Sequence, residues 1–211
     1  MSGKMKSVFK RLQILVMVIA LAVLAGNCVQ AQAGTVKVSG KYYQSDARKM
    51  LKAINKFRTG KQAWYYTAEG SDEKTYVKGL KKLQYDYGLE KAAMKRAVEI
   101  SKSFSHTRPN GSSCFTAYPA GYMAMGENIA MGTNYIMTTS HTLEMWKETN
   151  KSYYGQGHRR NMLNRNFTCV GIACFEVNGC KYWVQEFGSP TKNTNKTKAC
   201  DTNKTVKIKV K

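Results

Sequence analysis

The stretch Phe167-Thr168-Cys169-Val170-Gly171-Ile172-Ala173-Cys174-Phe175-Glu176-Val177, then Asn178-Gly179, then Cys180-Lys181-Tyr182-Trp183-Val184-Gln185-Glu186-Phe187, decides the fold class. Up to this point the apolar residues recur at helical spacing; here the period becomes two. Asn-Gly between two such runs is the strongest short hairpin signal, because both residues accept the positive φ of a two-residue turn. That turn pairs Val177 with Cys180 and sets Cys174 opposite Trp183, which speaks against a Cys174–Cys180 bridge. Helices first and strands later predict an α+β fold, with helices packed on an antiparallel sheet.

Working back from the hairpin, Leu89, Ala93, Ala97, Ile100 and Phe104 form an apolar stripe that predicts a helix over 86–104, with Asp86 near its start. Ala47, Met50, Ile54 and Phe57 predict another over 46–58, with Ser45 or Asp46 as its cap. A third, over 138–149, starts at a Thr/Ser cap and buries Leu143 and Trp146, and a short helical turn runs through Met162. Residues 59–80 read as a loop with one strand. Thr35-Val36-Lys37-Val38, within an extension over 34–44, alternates as an exposed edge strand. Residues 189–204 are rich in Lys, Thr and Asn and read as flexible. The Lys-rich tail, 189–211, ends in an alternating run over 205–211, and the two ends of the chain are expected to pair.

Residues 1–33 have the anatomy of a secretory signal: Lys4, Lys6, Lys10 and Arg11, an apolar run from Leu12 to Leu24, and Ala31-Gln32-Ala33 as a cleavage site. The apolar run is too short to span a bilayer, for which about 20 residues are needed. A lipid anchor on Cys28 is a weaker reading, since Asn27 stands where a small residue is expected. Removing the signal lowers the net charge from +21 to +17. Such a field favours an anionic cell-wall or membrane surface. Nucleic acid is not expected, as no zinc-finger spacing or aromatic-basic motif is present. Export permits disulfides, but Cys114, Cys169, Cys174, Cys180 and Cys200 are odd in number and lack C-x-x-C spacing, so their pairing stays open.

All three histidines lie between Ser105 and Asn161. The ordered motifs Phe104-Ser105-His106-Thr107-Arg108-Pro109, Gly126-Glu127-Asn128-Ile129-Ala130, Trp146, Gly157-His158-Arg159-Arg160-Asn161-Met162-Leu163 and the hairpin itself resemble the CAP superfamily of SCP-like extracellular proteins, most closely its secreted bacterial branch. The resemblance covers 45–188. It implies a three-layer α-β-α sandwich around an antiparallel sheet, with a cavity lined by two His and two acidic residues that holds a divalent metal in some members. Carried over, these are His106, His158 and Glu127, with Glu148 as the second acidic residue. The family pattern W-x-x-E-x-x-x-Y fits Trp146 and Tyr153, but Thr149 takes the Glu place and Glu148 comes one residue early. On a continuous helix that is a rotation of about 100°, turning Glu148 elsewhere.

Two imidazoles with carboxylates suit Zn²⁺ or another divalent metal, with His106 and His158 as ligands. The alternative is that both histidines merely hold loops by hydrogen bonds. His141 carries no motif and reads as exposed or capping. Met123, Met125 and Met131 read as core, or as an adaptable apolar groove. Arg108, Arg159 and Arg160 read as solvated or surface-paired, or as an anion-gathering set. Ser105 has no nucleophile elbow around it, and Gly126 and Gly132 form no phosphate loop. The resemblance implies a binding or cell-surface role with small apolar or lipid ligands; the rival is a metal-assisted hydrolase using His106, His158, Glu127 and Glu148.

Overall fold

A computed structural model describes residues 33–150 and 155–211. The signal-like segment and Tyr153 therefore lie outside the described residues. In order, the elements are β1 (Gly34–Tyr42), α1 (Gln44–Arg58), β2 (Trp64–Tyr66), β3 (Lys74–Tyr76), β4 (Gln84–Tyr85), α2 (Tyr87–Lys102), β5 (Ala124–Thr133), α3 (Thr139–Lys147), α4 (Gly157–Leu163), β6 (Cys169–Val177), β7 (Cys180–Ser189) and β8 (Asn203–Val210). The main sheet runs β5-β7-β6-β1-β8, with β4 added to β6 as a two-residue parallel pair; β2 and β3 form a separate hairpin where one strand was expected. No described helix is long and apolar enough to cross a membrane.

The β6–β7 register is the one the Asn-Gly turn predicts: Val177 pairs with Cys180 and Cys174 with Trp183. All five cysteines of the described residues are unbridged. Alternation along the strands creates two cores. Val170, Ile172, Cys174, Trp183 and Phe187 pack with Met50, Ile54 and Phe57 of α1, Trp146 of α3 and Met162 of α4. Ala173, Phe175, Val184 and Ile129 face the opposite way and pack on Ala93, Ala97 and Ile100 of α2. Helices thus cover both faces, the three-layer order expected. Gly171 permits the close fit of α2, since a Cβ there would strike the backbone of Leu89 and Glu90.

Local details differ from the sequence reading. α1 begins at Gln44, so Ser45 and Asp46 lie inside its first turn and neither caps it. The Ser45 hydroxyl and backbone N–H instead donate to Asp201. β1 is not an edge strand, because β8 covers it. Residues 189–204 are not the free tether their composition suggests. Asp86, the N-cap of α2, accepts from Gly88 N and Leu89 N with one oxygen (2.8 and 3.1 Å) and from Lys192 N and Asn193 N with the other (2.8 and 3.1 Å). Arg48 donates to the Thr197 carbonyl at 2.7 Å. The segment is a strap that leads the chain back to β8.

Asp86 is buried; burial opposes its ionisation, but the amides of Lys192, Asn193 and Leu89 outweigh it and hold the carboxyl below its ordinary range. Its depressed pKa contributes stability above the unfolded-state value near ~3.9, lost as pH falls through the folded value. Asp86→Ala is expected to cost about 2–3 kcal/mol in urea unfolding, since both a cap and two tail contacts are removed. It should also speed amide exchange at 192 and 193. Protection there equal to that of the parent would show that Asp86 does not hold the strap.

Candidate functional site

Two histidine–carboxylate pairs flank the edge strand β5. His106 follows α2, where Ser103 ends the helix and the Arg108–Gly111 turn closes back through a hydrogen bond from Gly111 N to the Arg108 carbonyl at 2.8 Å. Its Nδ1 lies 2.7 Å from Glu127 Oε1, and its side chain is 58% exposed. Glu127 and Ile129 point into the α2 layer, whereas Asn128 and Ala130 point into the layer of α1, α3 and α4. His158, on α4, belongs to that second layer, and its Nδ1 lies 2.6 Å from Glu148 Oε1. Asn128 joins the two sides, donating to the His158 carbonyl at 3.1 Å, while Asn161 donates to the Glu127 carbonyl at 3.2 Å and to Asn128 Oδ1 at 2.8 Å.

Glu148 does reach the site, contrary to the rotation argument. α3 stops at Lys147, and Glu148 is its C-cap in the left-handed region (φ 44°, ψ 56°). Helical geometry therefore no longer fixes the direction of its side chain. The second carboxylate oxygen accepts from Arg159 N at 3.2 Å. Gln156, also left-handed at φ 48°, clamps the same loop: its amide donates to the Glu148 carbonyl and its oxygen accepts from Tyr66 N, each at 2.6 Å. Two non-glycine residues held at positive φ beside one histidine are a cost that the surrounding bonds must offset.

Glu127 is the hub of the first pair. Arg96, fully buried on α2, donates Nε to Glu127 Oε2 at 2.7 Å and Nη2 to Oε1 at 3.2 Å, and bridges to Glu99 at 3.0 Å and the Ser105 carbonyl at 2.6 Å. Burial would raise the Glu127 pKa, but the hydrogen bonds from His106 and Arg96 outweigh it and lower the value. Directly across the strand pair stands Glu186, wholly buried, with Oε2 accepting from Tyr118 at 2.8 Å and no donor to Oε1 among the described residues. Burial and then the Glu127 charge push its pKa well up, so Glu186 holds its proton to a higher pH than a free carboxyl does. Cys114 sits close by with its thiol pushed up to about 12, by burial first and then by Glu127 and Glu186.

Among the described residues His106, Cys114 and Glu127 place ligand-type atoms within 4.8 Å of one another; His158 is not part of that group. Both Glu127 oxygens already accept charged or imidazole N–H groups, and burial holds the Cys114 thiol above its ordinary pKa. Each histidine Nδ1 is tied to a carboxylate, the outer-sphere arrangement that orients a metal-binding imidazole. The group His106, Cys114 and Glu127 thus has the residue types of a divalent-metal site.

Sequence reasoning missed Arg96, Cys114, Glu186 and Gln156. Arg96 and Glu99 sit inside the apolar stripe of α2, and an ion pair at i,i+3 on a buried face was the available signal. The arginines also differ from expectation. Arg108 is buried and forks onto Glu99, while Arg159 is fully buried, donating to the Trp64, Lys147 and Gln62 carbonyls with its guanidinium 3.8 Å over the Trp64 ring. Arg160 stacks 4.0 Å over Tyr65. Met123, Met125 and Met131 are exposed, not core. His141 is exposed, and its N–H donates to the Thr138 cap.

With a helix-sheet-helix sandwich and two His–Glu pairs at a sheet edge, comparison with known proteins is decisive for the class. The sequence pattern of CAP, the cysteine-rich secretory protein family, matches residues 51–187, and the chain belongs to that family. It is 32% identical over 114 residues to the uncharacterized protein YkwD of Bacillus subtilis, covering 52% of this chain but only 40% of that relative's length. Solved structures share the fold. An outer surface protein of Borrelia burgdorferi is 17% identical with a TM-score of 0.51, covering 71% of this chain and 97% of that one. NaASP2 with Zn²⁺ is 18% identical with a TM-score of 0.52, covering 76% and 85%.

Proposed function

We propose that this protein is a secreted binding protein that resides at an anionic cell surface and uses the His106–Glu127 and His158–Glu148 pairs as a polar ligand site, with Zn²⁺ or another divalent metal held through imidazole Nε2. The observation that carries the reading is the pairing of both Nδ1 atoms with carboxylates, at 2.7 and 2.6 Å. Bound there, a metal supplies a Lewis acid with open positions. Binding is favoured over hydrolysis because neither carboxylate is free to act as a base. Glu127 accepts from Arg96 and His106, and Glu148 from Arg159 N and His158. NaASP2 is described with Zn²⁺ and the Borrelia burgdorferi protein as an outer surface protein, both in agreement with this reading. A small apolar or lipid ligand is the further part of this reading, supported by the space between α1 and α3. There a cavity of about 430 Å³ has Phe57 and Leu143 in its floor, with Lys56, Lys61 and Lys147 around it.

Calorimetric titration of the full chain with Zn²⁺, beside a His106→Ala/His158→Ala variant, tests the metal. Saturable binding at micromolar Zn²⁺ or below, lost in the variant, is expected. Equal heats from both proteins would leave the histidines as loop anchors.

A further inference from the structure

We propose that the cleft between the C-terminal end of α1, the β3–β4 connection and the α4–β6 connection is a binding site for a phosphoryl oxyanion. The cleft holds about 430 Å³, within the range of small-ligand pockets, and four cations line it: Arg58, Lys81, Lys82 and Arg165, with Leu80 and Phe167 as apolar wall. No aspartate or glutamate lines it. Among the described residues none of the four cations forms an ion pair, although other basic residues do: Arg48 pairs with Glu90, Arg96 with Glu127 and Arg108 with Glu99.

Arg58 makes this more than a basic surface. It is 2% exposed, a depth at which a guanidinium is normally matched by a carboxylate. Here it has only carbonyls: Nε donates to Lys81 O and Nη1 to Met162 O, each at 2.8 Å, and Nη2 to Phe167 O at 3.3 Å. Its remaining N–H groups meet no protein acceptor among the described residues. Burial and then the like charge of Arg165 lower its pKa to about 10, so the pair repel across the cleft. Arg165 itself is exposed and anchored by one N–H to the Lys78 carbonyl at 2.8 Å, leaving the rest of its fork for solvent or ligand.

A buried cation without a counter-charge, facing a second guanidinium and two ammonium groups, is completed by an anion. Guanidinium forks match phosphate oxygens in geometry, and the lysines add point charge. The apolar wall suits the carbon linkage of a phosphodiester, whereas a free ion would be held by the cations alone. The site is separate from the histidine pairs and does not rest on the metal reading.

The test is calorimetric titration of the full chain at fixed ionic strength, with inorganic phosphate in one arm and glycerophosphoglycerol in the other. Lys82→Ala/Arg165→Ala, both exposed positions, is compared with Lys207→Ala/Lys209→Ala on β8, which removes the same charge elsewhere. Saturable binding weakened about tenfold or more by the first pair and less than about twofold by the second is expected. Tighter binding of the diester would name a phosphodiester chain as the source, and tighter binding of phosphate the free ion; either upholds the site when it depends on Lys82 and Arg165. No saturable binding in either arm, or equal weakening by both variants, would overturn it, the latter reducing the attraction to net charge.

Discussion

Arg96→Ala is expected to lower the unfolding free energy by about 3–5 kcal/mol, the usual cost of stripping one partner from a buried ion pair. Arg96 is 0% exposed and is the only side chain joining Glu99 to Glu127 among the described contacts, while also holding the Ser105 carbonyl beside His106. Without it Glu127 keeps its burial and loses its strongest counter-charge. Glu99 is spared in part, because Arg108 still forks onto it. Adding Glu127→Gln to Arg96→Ala should therefore restore part of the loss, since the unpaired charge is then gone. Urea unfolding of the two single variants and the double variant measures both effects. A loss below about 1 kcal/mol in Arg96→Ala would mean that water reaches Glu127 and the hub is not dry.

Glu186→Gln should have the opposite sign. A carboxyl whose folded pKa is raised binds its proton more tightly when folded, so its stabilising contribution is present at low pH and is lost as pH rises. Between the unfolded value, near ~4.3, and the raised folded value, stability falls by about 1.4 kcal/mol per pH unit. Glutamine keeps the shape, an oxygen for Tyr118 and a donor toward Glu127, without any proton to lose. The variant is expected to be more stable than the parent at pH 7, with the gap narrowing toward pH 4. Infrared spectra of the parent should show a protonated-carboxyl C=O band at neutral pH that the variant lacks. A pH-independent difference in stability, or no such band, would place the proton elsewhere.

Both predictions concern residues that the sequence hides, and the reason is physical. Local periodicity and turn chemistry decide what happens within about a dozen residues, which covers much of the fold. Asn178-Gly179 fixes the β6–β7 register, Asp86 marks the start of α2, and Thr138 caps α3. The period change at the hairpin gives the layers, because each strand face must find a helix. The residue types of the site were also readable, with His106, Glu127, Glu148 and His158 standing in recognisable motifs.

What the tertiary structure alone decided is how those residues meet. Glu148 reaches His158 because the chain leaves the helix two residues earlier than the stripe implies, and a left-handed cap redirects it. Glu186 faces Glu127 through pairing between strands 59 residues apart in the chain, a separation with no local signature. The tail is held by Asp86, more than a hundred residues away, although its composition alone reads as unstructured. Sequence by itself determined the helices, the β6–β7 hairpin and the family's histidines. The edge strand β5, in a glycine-rich stretch that reads as loop, was left to the tertiary pairing with β7. Burial and charge matching across distant segments decided which carboxylate keeps a proton, which arginine is an interior anchor, and which cations are left facing a cleft without a counter-charge.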